Sequence, residues 1–174
     1  MTPVLTVPRA LAALVAVSVA LVLQASLFSH LTVQGVAPDL VLLVVVASAL
    51  AYGSEVGIVL GFGAGLLLDL APPADHVAGR WALALMVVGY VVGRLAPSVR
   101  PRLTQWWPTA VAAAFVGTSV FALSGLLLRD PAVGVGELLR VELMAVCWDA
   151  ALALVVVPLT LGLFAKVEPD RILA

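Results

Sequence analysis

Long apolar runs separated by short polar segments dominate the chain and predict six membrane-spanning helices. A helix needs about 20 consecutive apolar residues to cross the hydrocarbon layer of a bilayer. The predicted spans cover residues 10–28, 38–52, 54–70, 81–95, 108–128 and 143–165. No segment between them has the composition of a soluble domain, so we expect an all-α, polytopic transmembrane domain over residues 1–174.

The second and third predicted spans are short and are separated by only a few residues around Gly53 and Glu55. This spacing predicts either a tight hairpin or a partly re-entrant pair of helices. A single helix over residues 38–70 is disfavoured because it would place Glu55 at its centre, where a charged side chain is costly in lipid.

Composition supports a membrane location. Hydrophobic residues make up 63% of the chain, charged residues only 11%, and the mean hydropathy is +1.19. A soluble domain carries about 25% charged residues, so this chain could not coat a water-facing surface. The formal net charge of -1 gives no basic surface for nucleic acid, which we exclude as a partner.

Residues that could carry catalysis or bind a metal are scarce. The single cysteine, Cys147, excludes an internal disulfide and a cysteine-based metal cluster. The two histidines, His30 and His76, lie far apart in the sequence, and a metal site needs more ligands at suitable spacing. No phosphate-binding loop, nucleotide-binding fingerprint or nucleophile elbow occurs. We therefore expect no enzyme active site, no cofactor and no metal.

Glycines recur every four residues through the third span, and small residues at this spacing share one face of a helix. Such a face lets helix backbones approach closely in lipid. Two interpretations stay open: packing within the protein, or a groove that docks a partner helix or frames a cavity. Alanines form a weaker stripe on the first helix that could face a neighbouring subunit. The residues are Gly53, Gly57, Gly61 and Gly65 in the third span, Gly89 and Gly93 in the fourth, and Ala12, Ala16 and Ala20 in the first.

Charged residues within or beside the spans are the candidate functional polar groups, because burying them in lipid is costly unless they are paired. Asp149 lies several residues into the last span, and Glu142 precedes it on a similar helix face. Asp69 ends the third span, where Arg80 of the next helix could approach it. We interpret these residues as structural pairs or hydrogen-bonded acids. A proton-coupled carrier centred on Asp149 is the alternative, although no series of acids crosses the membrane.

Basic residues predict the orientation, because cytoplasmic segments carry an excess of lysine and arginine. The side that holds both termini and the loop between the fourth and fifth spans has six of them, and the other side has three. Both termini are therefore expected in the cytoplasm. The first group is Arg9, Arg94, Arg100, Arg102, Lys166 and Arg171, and the second is Arg80, Arg129 and Arg140.

Several short fragments in residues 38–94 form a recognisable series: Pro38-Asp39-Leu40, Gly53, Gly57, Gly61-Phe62, Gly65 to Asp69, Gly79-x-x-Ala82-Leu83 and Gly89-Tyr90-x-x-Gly93. Together they resemble the bacterial rod shape-determining protein MreD family. The resemblance covers about a third of the chain. From residue 95 onward only the hydropathy pattern is compatible.

This resemblance implies a non-catalytic subunit of the cell-wall elongation machinery in the bacterial cytoplasmic membrane. The partners it implies are MreC above all, and also MreB, RodA and a class B penicillin-binding protein. It implies a fold similar to the substrate-binding membrane subunits of energy-coupling-factor (ECF) vitamin transporters, which are the alternative function. The loop of Arg94, Arg100 and Arg102 would then rest on anionic membrane lipid or meet the cytoplasmic filament.

Overall fold

The computed structural model describes residues 7–28, 32, 35–71, 77–96, 102–128 and 135–167. Its regular elements are all helical, which agrees with the predicted class. Six α-helices occur in these ranges, and a π-helical segment, Gln24–Phe28, continues the first of them. The helices are α1 (Val7–Leu23), α2 (Leu40–Tyr52), α3 (Ser54–Leu70), α4 (Arg80–Leu95), α5 (Leu103–Leu127) and α6 (Val135–Val167).

Helix α2 is the centre of the bundle. It contacts all five other α-helices, and each of its residues except Ala51 is buried. A sequence that is apolar on all sides cannot choose one face, so it is stable only where other helices surround it. The core of the protein is therefore built around α2.

Helices α2 and α3 are separate elements that meet at Gly53. Its φ of 88° lies in the left-handed region that favours glycine, and its N–H donates to the carbonyl of Ala49 to end α2. The continuous helix over residues 38–70 is thus excluded. The next helix begins immediately, at Ser54.

Three helical segments are long and apolar enough to cross a membrane: Val7–Leu27, Leu103–Leu127 and Leu138–Val167. Their number indicates an integral membrane protein. Helices α2, α3 and α4 have 13, 17 and 16 residues. At 1.5 Å per residue, α2 measures about 20 Å, which is shorter than a hydrocarbon layer of about 30 Å.

Helices α5 and α6 begin five and eight residues earlier than the hydrophobic pattern suggests. Helix α5 starts at Leu103 rather than at residue 108, and the side chain of Gln105 accepts the Arg102 N–H at its first turn. Helix α6 starts at Val135 rather than at residue 143. Hydropathy marks the part of a helix that suits lipid, whereas hydrogen bonding extends each helix beyond that part.

The first turn of α1 and the last turn of α6 lie at the same end of the bundle. The Arg9 guanidinium is 5.6 Å from the ring centre of Tyr52, and the Tyr52 and Phe164 rings are 4.9 Å apart. Gly93, near the end of α4, contacts the backbone of Ser54 at this same end. We call it the Tyr52 end; the opposite end, where α3 finishes and α4 begins, is the Asp69 end.

Candidate functional site

The glycines of α3 pack against the backbone of α4. A Cβ added at Gly57 would overlap the carbonyl of Gly89, and one added at Gly61 would overlap the carbonyl of Leu85. One turn further, a Cβ at Gly65 would overlap the backbone at Ala82. The two helices are therefore in direct backbone contact, an approach that only glycine allows.

Glycines of α4 complete the contact from the other side. A Cβ on Gly89 would overlap the backbone of Gly57, and one on Gly93 would overlap the backbone of Ser54. Helix α4 thus fills the groove that α3 presents. Of the two interpretations left open by the sequence, this arrangement favours packing within the protein, because a partner helix could enter the groove only by displacing α4.

Gly53 and Gly63 do not take part in this contact, since a Cβ on either would meet nothing within 4 Å. Gly53 serves the junction between α2 and α3 through its positive φ. Gly63 points away from α4.

The alanine stripe of α1 also lies inside the bundle. Ala12, Ala16 and Ala20 are buried and belong to the apolar core, where α1 contacts α2. Their burial favours packing within the protein over a face toward a neighbouring subunit. Small side chains here let α1 approach α2 closely.

Asp69 fastens the end of α3 to the start of α4. Its Oδ2 accepts hydrogen bonds from the N–H groups of Gly79 (2.8 Å) and Ala82 (3.1 Å), and its Oδ1 accepts one from Trp81 (3.1 Å). The first N–H groups of a helix have no partner within it. The carboxylate supplies these acceptors and lies near the positive end of the helix dipole.

Arg80 extends from the same turn toward α5. Its guanidinium donates to the carbonyl oxygen of Phe121 at 2.9 Å and lies 3.9 Å from the centre of that ring. A Cβ on Gly125 would overlap the guanidinium, so the glycine makes room for it. The buried Arg80 therefore joins α4 to α5, while Asp69 joins α3 to α4.

A second polar junction surrounds the start of α2 and includes Asp149. The Asp149 Oδ1 accepts the N–H of Asp39 at 2.8 Å, and the Asp39 Oδ1 accepts the N–H of Leu42 at 2.9 Å. From the π-helical segment, the Oε1 of Gln24 accepts the N–H of Val41 at 3.1 Å. Three side chains thus occupy the place that water would take at an exposed helix start. The structure brings Asp149 together with Asp39, and not with Glu142.

Glu142 makes a separate contact with α5. Its Oε1 accepts hydrogen bonds from the hydroxyls of Thr118 (2.7 Å) and Ser119 (2.9 Å). The acid is therefore hydrogen-bonded between α5 and α6.

The structure places two of the three loop arginines. Arg94 is exposed in the last turn of α4, and Arg102 is exposed just before α5. Arg100 lies outside the described residues, as do His30 and His76.

In the described part of the chain, the candidate polar side chains form hydrogen bonds between helices. No group of three or more His, Cys, Asp or Glu residues that could hold a metal ion occurs within them. Two depressions among the described residues are apolar. One of about 250 Å³ lies between α4 and α5, beside Val92 and Pro108, and one of about 410 Å³ lies on α6, beside Met144 and Trp148. Such grooves suit acyl chains or apolar side chains of another helix.

Two residues of the polar junction, Asp39 and Gln24, are absent from the candidates that the sequence suggests. A signal for Asp39 exists, because Pro38-Asp39 directly before an apolar run is typical of a helix start. Gln24 is the single amide side chain of an apolar segment, and the residues next to it in the sequence do not indicate that it contacts α2.

Comparison with known proteins agrees with the resemblance described above. The chain matches the family described as rod shape-determining protein MreD over residues 6–167. No curated protein matches it. No solved structure matches it either, so the expected similarity to the ECF transporter subunits has no support from that comparison.

Proposed function

The chain belongs to the rod shape-determining protein MreD family, and on that premise we propose that it is a non-catalytic membrane subunit of the cell-wall elongation complex. In this role it maintains rod shape by helping to organise peptidoglycan synthesis. The observation that carries the proposal is the family match over residues 6–167, nearly the whole chain. The polar junctions support it, because each connects helices to one another.

The proposed direct partner is MreC, through its single membrane helix. MreB, RodA and a class B penicillin-binding protein belong to the same proposed complex. Since α4 occupies the glycine groove, the contact must use the outer surface of the bundle. Large apolar side chains are exposed there on several helices, among them Leu14 of α1, Phe62 of α3 and Leu143 of α6.

We place the protein in the cytoplasmic membrane with both termini inside the cell. The common location of Arg9 and Phe164 at the Tyr52 end supports a shared side for the two termini. Described basic residues are also more numerous at this end, where Arg9, Arg94, Arg102 and Lys166 lie, than at the other, where Arg80 and Arg140 lie. The positive-inside rule then assigns the Tyr52 end to the cytoplasm.

Site-specific photo-crosslinking in cells tests the partner and locates its surface. A photoreactive amino acid is placed singly at Leu14, Phe62 or Leu143, and adducts are identified by mass spectrometry. We expect an MreC adduct from at least one of these faces and none with an abundant single-span protein outside the complex. Absence of MreC adducts from all exposed faces, together with no co-purification of MreC, would contradict the proposal.

A further inference from the structure

The junction of Asp39 and Asp149 holds two acceptor oxygens that the hydrogen bonds described above leave unused. The Asp39 Oδ2 and the Asp149 Oδ2 are both buried and have no hydrogen-bond partner. The side chains are deeply enclosed, with exposed fractions of 7% for Asp39 and 1% for Asp149. A buried acceptor without a donor is costly, and a buried charge without compensation costs more.

The carboxyl group of Asp149 contacts the backbone of Asp39 directly. The Oδ1 of Asp149 accepts the backbone N–H of Asp39 at 2.8 Å, so the two acids belong to the same buried junction. The hydrogen bonds described above at this helix start come from neutral groups, the N–H of Leu42 to the Asp39 Oδ1 and the N–H of Val41 to the Gln24 Oε1. If both acids were ionised, two negative charges would lie within one buried junction, away from water.

One bound proton resolves both difficulties. It converts one carboxylate to a carboxylic acid, whose O–H supplies the donor that the junction lacks. The junction then carries one negative charge instead of two, and a charge-assisted O–H···O⁻ bond is among the stronger hydrogen bonds. The two Oδ1 atoms keep the N–H bonds that hold the start of α2.

We propose that Asp39 and Asp149 share a single proton, and that this acid–carboxylate pair attaches the start of α2 to α6. The site is a proton-binding site within the bundle, and it goes beyond the role proposed for the protein in its complex. On this proposal, the two aspartates matter because together they hold one proton between two carboxyl groups. Asparagine can replace one of the two, because an amide N–H supplies the missing donor.

Infrared spectroscopy of the full-length protein in lipid nanodiscs at neutral pH tests the proton directly. Wild type should show the C=O stretch of a protonated carboxylic acid, shifted in D₂O. Asp39→Asn and Asp149→Asn should each remove this band, because the remaining acid becomes the ionised acceptor of an amide. Glu55→Gln is the control, since Glu55 is exposed in the first turn of α3. Absence of the band from wild type, or its persistence in both variants, would overturn the proposal.

Thermal unfolding gives a second test that does not depend on band assignment. Each single Asn variant should unfold within a few degrees of wild type, whereas Asp39→Ala and Asp149→Ala should unfold at clearly lower temperatures. The double Asn variant should be less stable than the single variants predict by addition, because two NH₂ groups then face each other without an acceptor. Additive or improved stability in the double variant would contradict a shared proton, as would single Asn variants no more stable than the Ala variants.

A bound cation is the competing occupant of the two oxygens. It would keep both acids ionised, so wild type would lack the acid band and its unfolding temperature would rise with Na⁺ or K⁺ but not with choline. That combination would overturn the proposal. An acid band with no difference between these salts supports it.

Discussion

Gly57 of α3 and Gly89 of α4 lie face to face, so that a Cβ on either residue would overlap the backbone of the other. No side chain separates the two helices at this point. The same helices also meet through Asp69, which holds the start of α4 by three backbone N–H groups. The backbone contact along the two helices and the hydrogen bonds of Asp69 at their junction together hold α3 and α4 in a fixed arrangement.

Adding one methyl group to the glycine contact should destabilise the protein. Gly57→Ala forces the backbones of α3 and α4 apart, and overpacking of this kind costs about 1–3 kcal/mol. Gly63→Ala is the matched control on the same helix, because a Cβ there meets nothing within 4 Å. It should be neutral or stabilising by about 0.5–1 kcal/mol, as alanine favours helix more than glycine does. Unfolding in mild detergent measures both; equal effects would contradict the contact.

Shortening Asp69 should loosen the start of α4. Asp69→Ala removes the acceptor of three N–H groups, and each buried donor left without a partner costs about 1–3 kcal/mol. Asp69→Asn keeps one oxygen and should lie between the alanine variant and wild type. Hydrogen exchange of the amides at Gly79 to Ala82 reports the effect locally. Glu55→Ala, at the other end of α3 and exposed, should leave these amides protected.

Gly125 and Arg80 should behave as a coupled pair. Gly125→Ala pushes on the guanidinium and weakens its bond to the Phe121 carbonyl, so the folded state should lose stability. The same substitution in an Arg80→Ala background should cost little, because the side chain it collides with is gone. Gly162→Ala is the control on α6, where a Cβ meets nothing within 4 Å. Additive effects of the Arg80 and Gly125 substitutions would contradict the contact.

Orientation is testable with single cysteines in a Cys147→Ala background. Lys166→Cys lies in the last turn of α6 at the Tyr52 end, and Gly136→Cys lies in its first turn at the opposite end; both positions are exposed. A membrane-impermeant maleimide should label position 136 in spheroplasts and position 166 only in inside-out vesicles. The reverse pattern would place the termini outside the cytoplasm. The Cys147→Ala parent shows the background labelling.

Much of the fold could be predicted because it depends on local patterns. Apolar runs indicate helices, the four-residue glycine spacing indicates close packing, and Gly53 indicates a break between α2 and α3. These signals concern neighbours along the chain. They do not identify which helix lies opposite a given face, so the sequence left open whether α4 or a partner would fill the glycine groove.

The polar residues also show that sequence patterns do not identify contacts between residues that are distant in the chain. Asp69 and Arg80 were expected near each other, and both lie at the Asp69 end. The side chain of Arg80, however, reaches Phe121 on α5, which is distant in sequence. Asp149 was expected to be hydrogen-bonded, but its partner, the N–H of Asp39, is 110 residues away. Such contacts can be identified only from the three-dimensional structure.

The almost complete burial of α2 has a consequence for the order of biogenesis. A helix of 13 residues that is enclosed on all sides cannot rest in a bilayer as a finished unit. Its apolar surface contacts lipid or the insertion machinery only until α4, α5 and α6 have been synthesised, since these close around it later in the chain. The most hydrophobic helix of the bundle therefore reaches its final environment only after α6 has been synthesised, and it ends its maturation with almost no lipid-facing side.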